Sequence, residues 1–230
     1  MRTRHASGWV VAIAMVCAIV VDPDTVAGQQ RRPTAPPPQP QLTVRGFGDV
    51  GLVRFTASDT FDAVLGSSTG GVFGGGGEVV LSQRIFVSVR FSRFQKTGER
   101  VFALDGEVFP LGIEATTRIT PIEVSGGYRF EGRGRRRTAI PYLGGGIGWH
   151  RYEETSEFAD SSENVSETFS GYHVLGGVEF RLARMFGIGG EVQWTTVPDA
   201  LGGGPGSVAA LFDETNLGGI GFRVRFTIGR

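Results

Sequence analysis

Side chains that commonly carry catalysis or bind metals are scarce in this chain of 230 residues, which has three histidines and one cysteine. His150 and His173 lie in segments whose alternation places both on the same predicted face. Neither belongs to an H-x-x-H or H-E-x-x-H motif, and a metal site would need further ligands close by. We therefore predict no metal site and no cofactor, and we interpret both histidines as structural.

Hydrolytic chemistry would need a serine within reach of a histidine and an acid that orients the imidazole ring. Ser170 is three residues from His173, so in a strand the two side chains point to opposite faces. Ser88, Ser92 or Ser125 would approach His173 only if their strands were neighbours, which the sequence does not establish. We predict no catalytic residue and no enzymatic activity.

Glycine-rich runs at Gly74–Gly77 and Gly202–Gly206 lack the Gly-Lys-Ser/Thr ending of a phosphate-binding loop, and neither opens a predicted helix. The chain has 23 basic and 23 acidic residues, so it lacks the basic excess that nucleic-acid binding requires. These observations exclude a nucleotide-cradling loop and give no support to a nucleic-acid partner.

The N-terminus has the pattern of an export signal, residues 1–28. Two arginines precede a short apolar core at Trp9–Val21, and small residues at Val26-Ala27-Gly28 suit cleavage. The core is too short to span about 30 Å of hydrocarbon as a helix, and Cys17 lies inside it. Residues 29–41 are rich in proline, which predicts an extended periplasmic linker. The remaining domain is residues 42–230.

From residue 42 onward the apolar pattern has a period of two, which predicts strands. In the last segment Phe222, Val224 and Phe226 alternate with Arg223 and Arg225. Seven further segments alternate in the same way. The eight predicted strands are approximately 42–53, 73–81, 85–92, 118–130, 140–151, 168–182, 186–195 and 219–228.

Connections between these segments alternate between short and long. The short ones fall at 82–84, 131–138 and 183–185, and the long ones at roughly 56–71, 95–116, 153–167 and 198–216. This rhythm is typical of a barrel with tight turns at one rim and long loops at the other. The predicted fold class is all-β, an eight-stranded antiparallel up-and-down transmembrane β-barrel.

The composition of the less apolar face of the strands indicates whether this face meets water or the inside of a barrel. In a soluble sandwich it would meet water, where lysine and glutamate are plentiful and glycine is scarce. Here it has no lysine, is rich in glycine and serine, and carries arginines together with glutamates. Glycine makes up 37 of 230 residues, more than twice the usual share of about 7%. Such a face suits the cramped interior of a small barrel, where glycine leaves room for long charged side chains.

Six arginines and five carboxylates on this face nearly balance, which predicts a lumen plugged by ion pairs, because an unpaired buried charge is costly. The candidate ion-pair residues are Arg45, Asp49, Glu78, Arg90, Glu123, Arg129, Glu179, Arg181, Glu191, Arg223 and Arg225. Aromatic residues near strand ends on the opposite face predict interfacial belts. They are Tyr128, Trp149, Phe180, Trp194 and Phe226.

Three connections carry features of their own. Asp105-Gly106 separates two apolar runs within 95–116, a signal for a type I′ hairpin. The hairpin either projects as a ribbon whose edges accept a partner strand or packs over the barrel mouth, and insertion of 101–113 into the membrane would give ten strands. Arg133 and Arg135–Arg137 crowd one short turn, which is either merely solvated or, if periplasmic, meets anionic headgroups or cell-wall polymer. The loop 153–167 is acidic.

Together these residues resemble the small outer-membrane β-barrel domain family, which includes OmpA-, OmpX- and OmpW-like barrels. The resemblance covers about 42–230 and rests on the export signal, the eight alternating segments and two glycine-rich strands at 141–146 and 172–177. Family members usually end on an aromatic residue that the barrel-assembly machinery recognises. This chain ends Ile228-Gly229-Arg230, so Phe226 is the expected substitute.

The resemblance implies location in the outer membrane of a Gram-negative type of cell, with outer-membrane lipid and the barrel-assembly machinery as partners. We expect a non-enzymatic structural or surface-interaction role, with any surface ligand bound through loops 95–116 and 153–167. The alternative is a narrow OmpW-like channel for small or apolar molecules. Some barrels of this size modify lipids, so fold alone does not exclude catalysis.

Overall fold

The structure, a computed structural model, describes residues 41–131, 138–156, 165–202 and 206–229. Most of them belong to eight strands: β1 (Leu42–Phe55), β2 (Thr69–Leu81), β3 (Ile85–Leu104), β4 (Glu107–Arg129), β5 (Ala139–Thr155), β6 (Val165–Arg181), β7 (Phe186–Thr196) and β8 (Gly219–Gly229). Each strand pairs antiparallel with the next, and β8 pairs with β1. The predicted closed eight-stranded barrel is confirmed, and the ten-strand alternative is wrong.

Several sequence predictions lie outside the described residues. These are the signal peptide, almost all of the linker, the arginine-rich turn at 132–137, the acidic stretch at 157–164 and the centre of the second glycine-rich run at 203–205. Among the described residues, no helix has the length and apolar character that crossing a membrane would require.

The strands are strongly staggered. Following paired residues once around the barrel from Arg45, through Glu78 and His173, leads back to β1 at Phe55, ten positions further along. A stagger of this size tilts the strands against the barrel axis, and an eight-stranded barrel then has an interior just wide enough for side chains.

Apolar and polar side chains are distributed in the reverse of a soluble protein. Phe222, Leu143 and Leu42 on the outward face leave more than half of their surface exposed, whereas Arg129 and Glu123 on the inward face are buried. The period of two produces this division because successive side chains of a strand point to opposite faces. The outward face is therefore an apolar band around the barrel.

The region 95–116 was predicted to be a long connection, and most of it is strand. β3 and β4 continue past their neighbours and meet at a turn where Asp105 and Gly106 both have positive φ, at 52° and 85°. These angles are those of the type I′ turn that the Asp-Gly pair predicts. We call residues 95–115 the ribbon.

Two short helices in the other long connections were not predicted. Helix α1 (Ser58–Leu65) follows β1, and α2 (Val208–Leu211) precedes β8. No side chain of its own caps the first turn of α1. Instead the carboxylate of Glu214 accepts hydrogen bonds from the backbone N–H groups of Asp59, at 3.2 Å, and Thr60, at 2.8 Å.

Helix α1 lies over the long-loop end of the barrel and buries Phe61 and Leu65. The ring of Phe61 stacks on Phe55 with centroids 4.1 Å apart, and Phe94 meets Phe55 edge to face. These side chains form what we call the apolar cap: Phe55, Ala57, Phe61, Leu65, Phe94, Ile119, Val197, Ala200 and Leu217.

Candidate functional site

The interior of the barrel contains five arginines and five carboxylates, all of them candidates from the sequence and all buried except Arg45, which is partly buried. They come from seven of the eight strands, at alternating positions whose side chains point into the barrel. They are Arg45, Asp49, Glu78, Arg90, Glu123, Arg129, Glu179, Glu191, Arg223 and Arg225. We call this set the lumen network.

One half of the lumen network surrounds Glu78 and Glu179, toward the short turns. Arg45 pairs with both carboxylates, with 2.8 Å between its Nη1 and Glu179 Oε1. Arg129 lies 3.0 Å from Glu179, and Arg225 lies 2.9 Å from Glu78. Each carboxylate therefore contacts more than one guanidinium group, which compensates the cost of burying these charges.

The other half is arranged around Arg90. Its guanidinium group lies 2.6 Å from Glu191, 3.2 Å from Asp49 and 3.9 Å from Glu123. Arg223 approaches Asp49 at 3.7 Å. This half lacks a one-to-one pairing, because carboxylates and guanidinium groups are shared among several partners.

Two neutral side chains, which the sequence reasoning did not single out, complete the lumen network. Gln193 Oε1 accepts hydrogen bonds from Arg90 at 2.8 Å and Arg223 at 2.6 Å, and its amide nitrogen donates to Glu123 at 2.6 Å. Tyr142 donates its hydroxyl proton to Glu191 at 3.0 Å. Both have the inward parity of their strands, which was the available signal.

Arg181 differs from the other candidates. It has inward parity, but it is the last residue of β6 and lies exposed at the short-turn rim, paired with Glu131. The prediction that it joins the lumen ion pairs is wrong, because the barrel interior ends before this position. Without Arg181 the lumen network has equal numbers of arginines and carboxylates.

Glycines lie opposite the long charged side chains in the neighbouring strands. Gly76 is the partner of Arg90 in the strand register, and Gly148 is the partner of Glu123. A Cβ atom on Gly76 would collide with the Val89 carbonyl oxygen and lie 2.9 Å from the Phe47 ring. The glycine content of the strands thus leaves room where charged side chains cross the lumen.

The Phe47 ring is the one large aromatic group that contacts two arginines of the lumen network among the described residues. The Arg225 guanidinium carbon lies 3.7 Å from the ring centroid, and that of Arg90 lies 5.5 Å away. Cation–π contacts of this kind are stronger in a site without water. Phe47 therefore packs with the arginines of the lumen network although its side chain is apolar.

His173, Ser125 and Glu123 have the residue types of a hydrolase triad. Ser125 Oγ lies 2.8 Å from His173 Nε2, but His173 Nδ1 and the Glu123 carboxylate are 3.9 Å apart, beyond hydrogen-bonding distance. All three side chains are buried in the lumen. The group therefore lacks both the oriented ring and the open space next to the serine that acyl transfer needs.

Apolar side chains cover the lumen network at one end and pack beside its charges at the other. The apolar cap covers it at the long-loop end, and a cluster of Val80, Phe86, Tyr142 and Leu175 lies beside the half that contains Glu78 and Glu179. Between the cap and the charges is a cavity of about 50 Å³, lined partly by His150, Glu123 and Arg223. A cavity of this size has room for a few water molecules.

A larger groove of about 510 Å³ opens outside the cap. Val64 of α1, Tyr152 of β5, Phe169 of β6 and Ser207 are among its lining residues. Burial raises the pKa of Tyr152, whose hydroxyl donates to Glu154 at 3.2 Å, and the Glu154 charge acts in the same direction. Within the described parts of the chain, no cluster of three or more potential metal ligands occurs.

The five aromatic residues that the sequence singled out all point outward and are between 40% and 52% exposed. Tyr128, Phe180 and Phe226 lie toward the short-turn ends of β4, β6 and β8. Trp149 and Trp194 lie toward the long-loop ends of β5 and β7. They thus form two groups separated along the barrel axis.

Solved structures that resemble the chain are small barrels with low sequence identity. Neisserial surface protein A is 14% identical, with 81% of this chain and 96% of that chain covered and a TM-score of 0.49. The N-terminal β-barrel domain of OprF from Pseudomonas aeruginosa is 12% identical, with 83% of this chain and 100% of that chain covered and a TM-score of 0.45. Ail of Yersinia pestis, solved with the heparin analogue sucrose octasulfate, is 10% identical, with 82% of this chain and 97% of that chain covered and a TM-score of 0.48.

No curated protein sequence matches the chain. A family model does: residues 34–226 match the outer membrane protein beta-barrel domain. The match spans most of the chain and all but the last residues of the closed barrel described above. With its apolar outward band and charged interior, the chain belongs to the outer membrane protein beta-barrel domain family, and its location is the outer membrane.

Proposed function

We propose that this protein is a non-enzymatic surface-interaction protein, in which the barrel anchors the ribbon and the ribbon binds a protein partner. The observation that carries the proposal is the set of exposed apolar side chains on the ribbon. Phe102, Leu104, Phe109 and Leu111 are between 43% and 54% exposed, although the ribbon extends beyond the apolar band.

These side chains are concentrated on one face. Phe102 lies directly opposite Phe109 in the strand register, and Leu104, two residues along the same strand, points to the same side. Aromatic and aliphatic side chains clustered on an accessible surface are typical of interaction sites. The contact surface that we propose is this face of the ribbon.

Strand addition at the ribbon edges, which the sequence suggested, is less well supported. Pro110 lies in the β4 edge and has no N–H group to donate, Gly112 has a positive φ of 67°, and the register shifts between Glu99 and Val101. Proline and bulges are the features that protect natural edges from pairing. We therefore assign recognition to side chains of the ribbon and not to its backbone.

The ribbon contacts the last long connection at one place. This local contact agrees in part with the alternative prediction that the hairpin packs over the barrel mouth. The Ala103 N–H group donates to the Gly206 carbonyl at 3.1 Å, and the Phe102 ring lies against Gly206. Phe109 and Leu104 remain exposed beside this contact. The contact positions the ribbon and leaves its apolar face available.

The interior supports an anchoring role for the barrel. The apolar cap and the lumen network lie across the path that a solute would take, so a narrow channel has no specific observation in its favour. The buried Ser125–His173 pair likewise offers no open site for a substrate. We take both groups to stabilise the barrel.

Site-specific photo-crosslinking in intact cells tests the proposal. A photoreactive phenylalanine analogue at position 109 should give protein adducts, whereas the same analogue at Val87 in the apolar band should give none. Leu104→Asp should reduce the adducts at position 109 about tenfold, because a charge replaces part of the apolar contact. Absence of protein adducts from positions 102, 104, 109 and 111 would contradict this function.

A further inference from the structure

The outward face of β3, β4 and β5 changes from apolar to basic within two residues. Phe91, Ile122 and Trp149 are register partners in one cross-strand row, and all three are exposed. Two residues further toward the long loops, Arg93 follows Phe91 and Arg151 follows Trp149 on the same outward face. Both arginines are exposed.

A third arginine stands between and slightly beyond them. Arg118 points outward from the intervening strand β4, two residues past Thr120, which is the register partner of Arg151. Adjacent strands are about 4.8 Å apart, so Arg93 and Arg151, two strands apart, are separated by about 10 Å. Long arginine side chains at this spacing can reach a common ligand. We call Arg93, Arg118 and Arg151 the arginine cluster.

The cluster carries more positive charge than its neighbours neutralise. Among the described residues Glu153 is the one carboxylate in ion-pair contact with it, 3.6 Å from Arg118 and 2.9 Å from Arg151. Arg93 has no carboxylate partner among the residues that the structure describes. Its Nη2 donates to Gln95 Oε1 at 2.9 Å, and Arg118 Nε donates to the same oxygen at 3.4 Å.

Two guanidinium groups thus converge on one neutral acceptor, and one carboxylate, shared by Arg118 and Arg151, stands against three arginines. Arg151 keeps 58% of its side chain exposed. Repulsion between like charges at this spacing favours an anionic ligand that enters between them. Guanidinium groups bind phosphate oxygens through paired hydrogen bonds, which makes phosphate the matching chemistry.

The position of the cluster identifies the source of the phosphate. The row directly beneath it faces lipid, so the arginines lie where the hydrocarbon of the membrane gives way to the headgroups. Arginine stems can lie along apolar surface while the charged groups remain at the polar boundary. We propose that the arginine cluster binds the phosphate groups of anionic membrane lipids at the long-loop end of the barrel.

Trp149 provides a local reporter, because it lies two residues below Arg151 on the same face. The full chain is prepared with Trp9 and Trp194 replaced by phenylalanine and is reconstituted with lipids brominated in their acyl chains, which quench an adjacent indole. Brominated phosphatidic acid is compared with brominated phosphatidylcholine. We expect apparent binding of phosphatidic acid to be stronger by about tenfold.

Variants separate phosphate binding from a general effect of charge. The triple variant Arg93→Ala, Arg118→Ala, Arg151→Ala should abolish the preference, and Glu153→Gln, which removes the competing acid, should increase it. Arg184→Ala, an exposed arginine at the opposite rim, is the matched control and should leave it unchanged. Normal heat-modifiable migration on gels verifies that each variant is folded.

The inference is overturned if the original chain shows no preference at Trp149, or if the preference survives the triple variant. A decrease with Glu153→Gln would also overturn it, because Glu153 would then organise the cluster instead of competing for it. An equal response of Trp149 to both lipids, together with binding of inorganic phosphate that the triple variant abolishes, would identify a site for free phosphate and would contradict binding of lipid.

Discussion

At the scale of single residues, the lumen network is held together by shared contacts. Glu191 illustrates this, because it lies 2.6 Å from Arg90, 3.8 Å from Arg225 and accepts a hydrogen bond from Tyr142. A buried charged group that loses its partner cannot be solvated by water instead. The removal of one carboxylate should therefore affect several arginines at once.

Glu191→Gln should lower the free energy of unfolding by about 3 kcal/mol, since it leaves the five arginines of the lumen network with four carboxylates. Urea unfolding of the barrel in phospholipid vesicles measures this loss. Glu107→Gln, at the exposed turn of the ribbon, is the control and should have little effect. Equal effects of the two substitutions would show that the network contributes no more than surface charges do.

Neighbouring glycines of β2 allow a test of the space that the charges need. Gly76→Ala places a methyl group against Val89 and Phe47 inside the barrel, whereas at Gly77 the nearest atom to an added Cβ is 3.9 Å away. We expect Gly76→Ala to destabilise the barrel by about 2 kcal/mol through overpacking. Gly77→Ala should be neutral or slightly stabilising in the same urea titration, and a larger cost at Gly77 would contradict the assignment.

At the scale of elements, the strands could be predicted from the sequence and the helices could not. Strand alternation is a local signal, and it placed Arg90, Glu123 and Arg223 on the inner face as the structure does. For α1 the local signal was weak: Phe61 and Leu65 are four residues apart, and Gly66 follows with a φ of 70°. The group that caps α1 is Glu214, which is distant in sequence, so reasoning from nearby residues could not find it.

The contacts among charged residues were also beyond prediction. Parity shows that Arg181 points inward, but the height at which the lumen ends depends on the stagger of all eight strands. The same stagger brings Ser125 to His173 from strands that are not adjacent in the barrel. Register, unlike parity, requires knowledge of every strand pair.

Helix α1 should stabilise the long-loop end through the apolar cap. Phe61→Ala removes the ring that stacks on Phe55, and we expect a loss of about 3 kcal/mol in the free energy of unfolding. Asp59→Asn, at an exposed position of the same helix, is the control. If limited proteolysis and urea unfolding do not distinguish Phe61→Ala from the control, α1 does not hold the cap in place.

At the scale of the whole molecule, we infer that the apolar cap and the lumen network together close the barrel to solutes. We expect no discrete unitary currents from purified protein in planar lipid bilayers, because charged side chains and apolar rings fill the cross-section. Arg223→Ala shortens a buried arginine and provides the comparison. Steady unitary currents that change with Arg223→Ala would instead favour a conduit.

The first and last strands form the seam that closes the barrel: Arg45 of β1 pairs with Gly229 of β8. Residues so far apart in sequence meet only after a large loss of chain entropy, which slows contacts of this kind. Until β8 pairs with β1, the sheet has two unpaired sides. Backbone N–H and C=O groups on those sides cannot form hydrogen bonds with water inside the hydrocarbon layer. Insertion and closure should consequently be a single late event, and a chain that lacks β8 should persist as an unfolded substrate for periplasmic proteases.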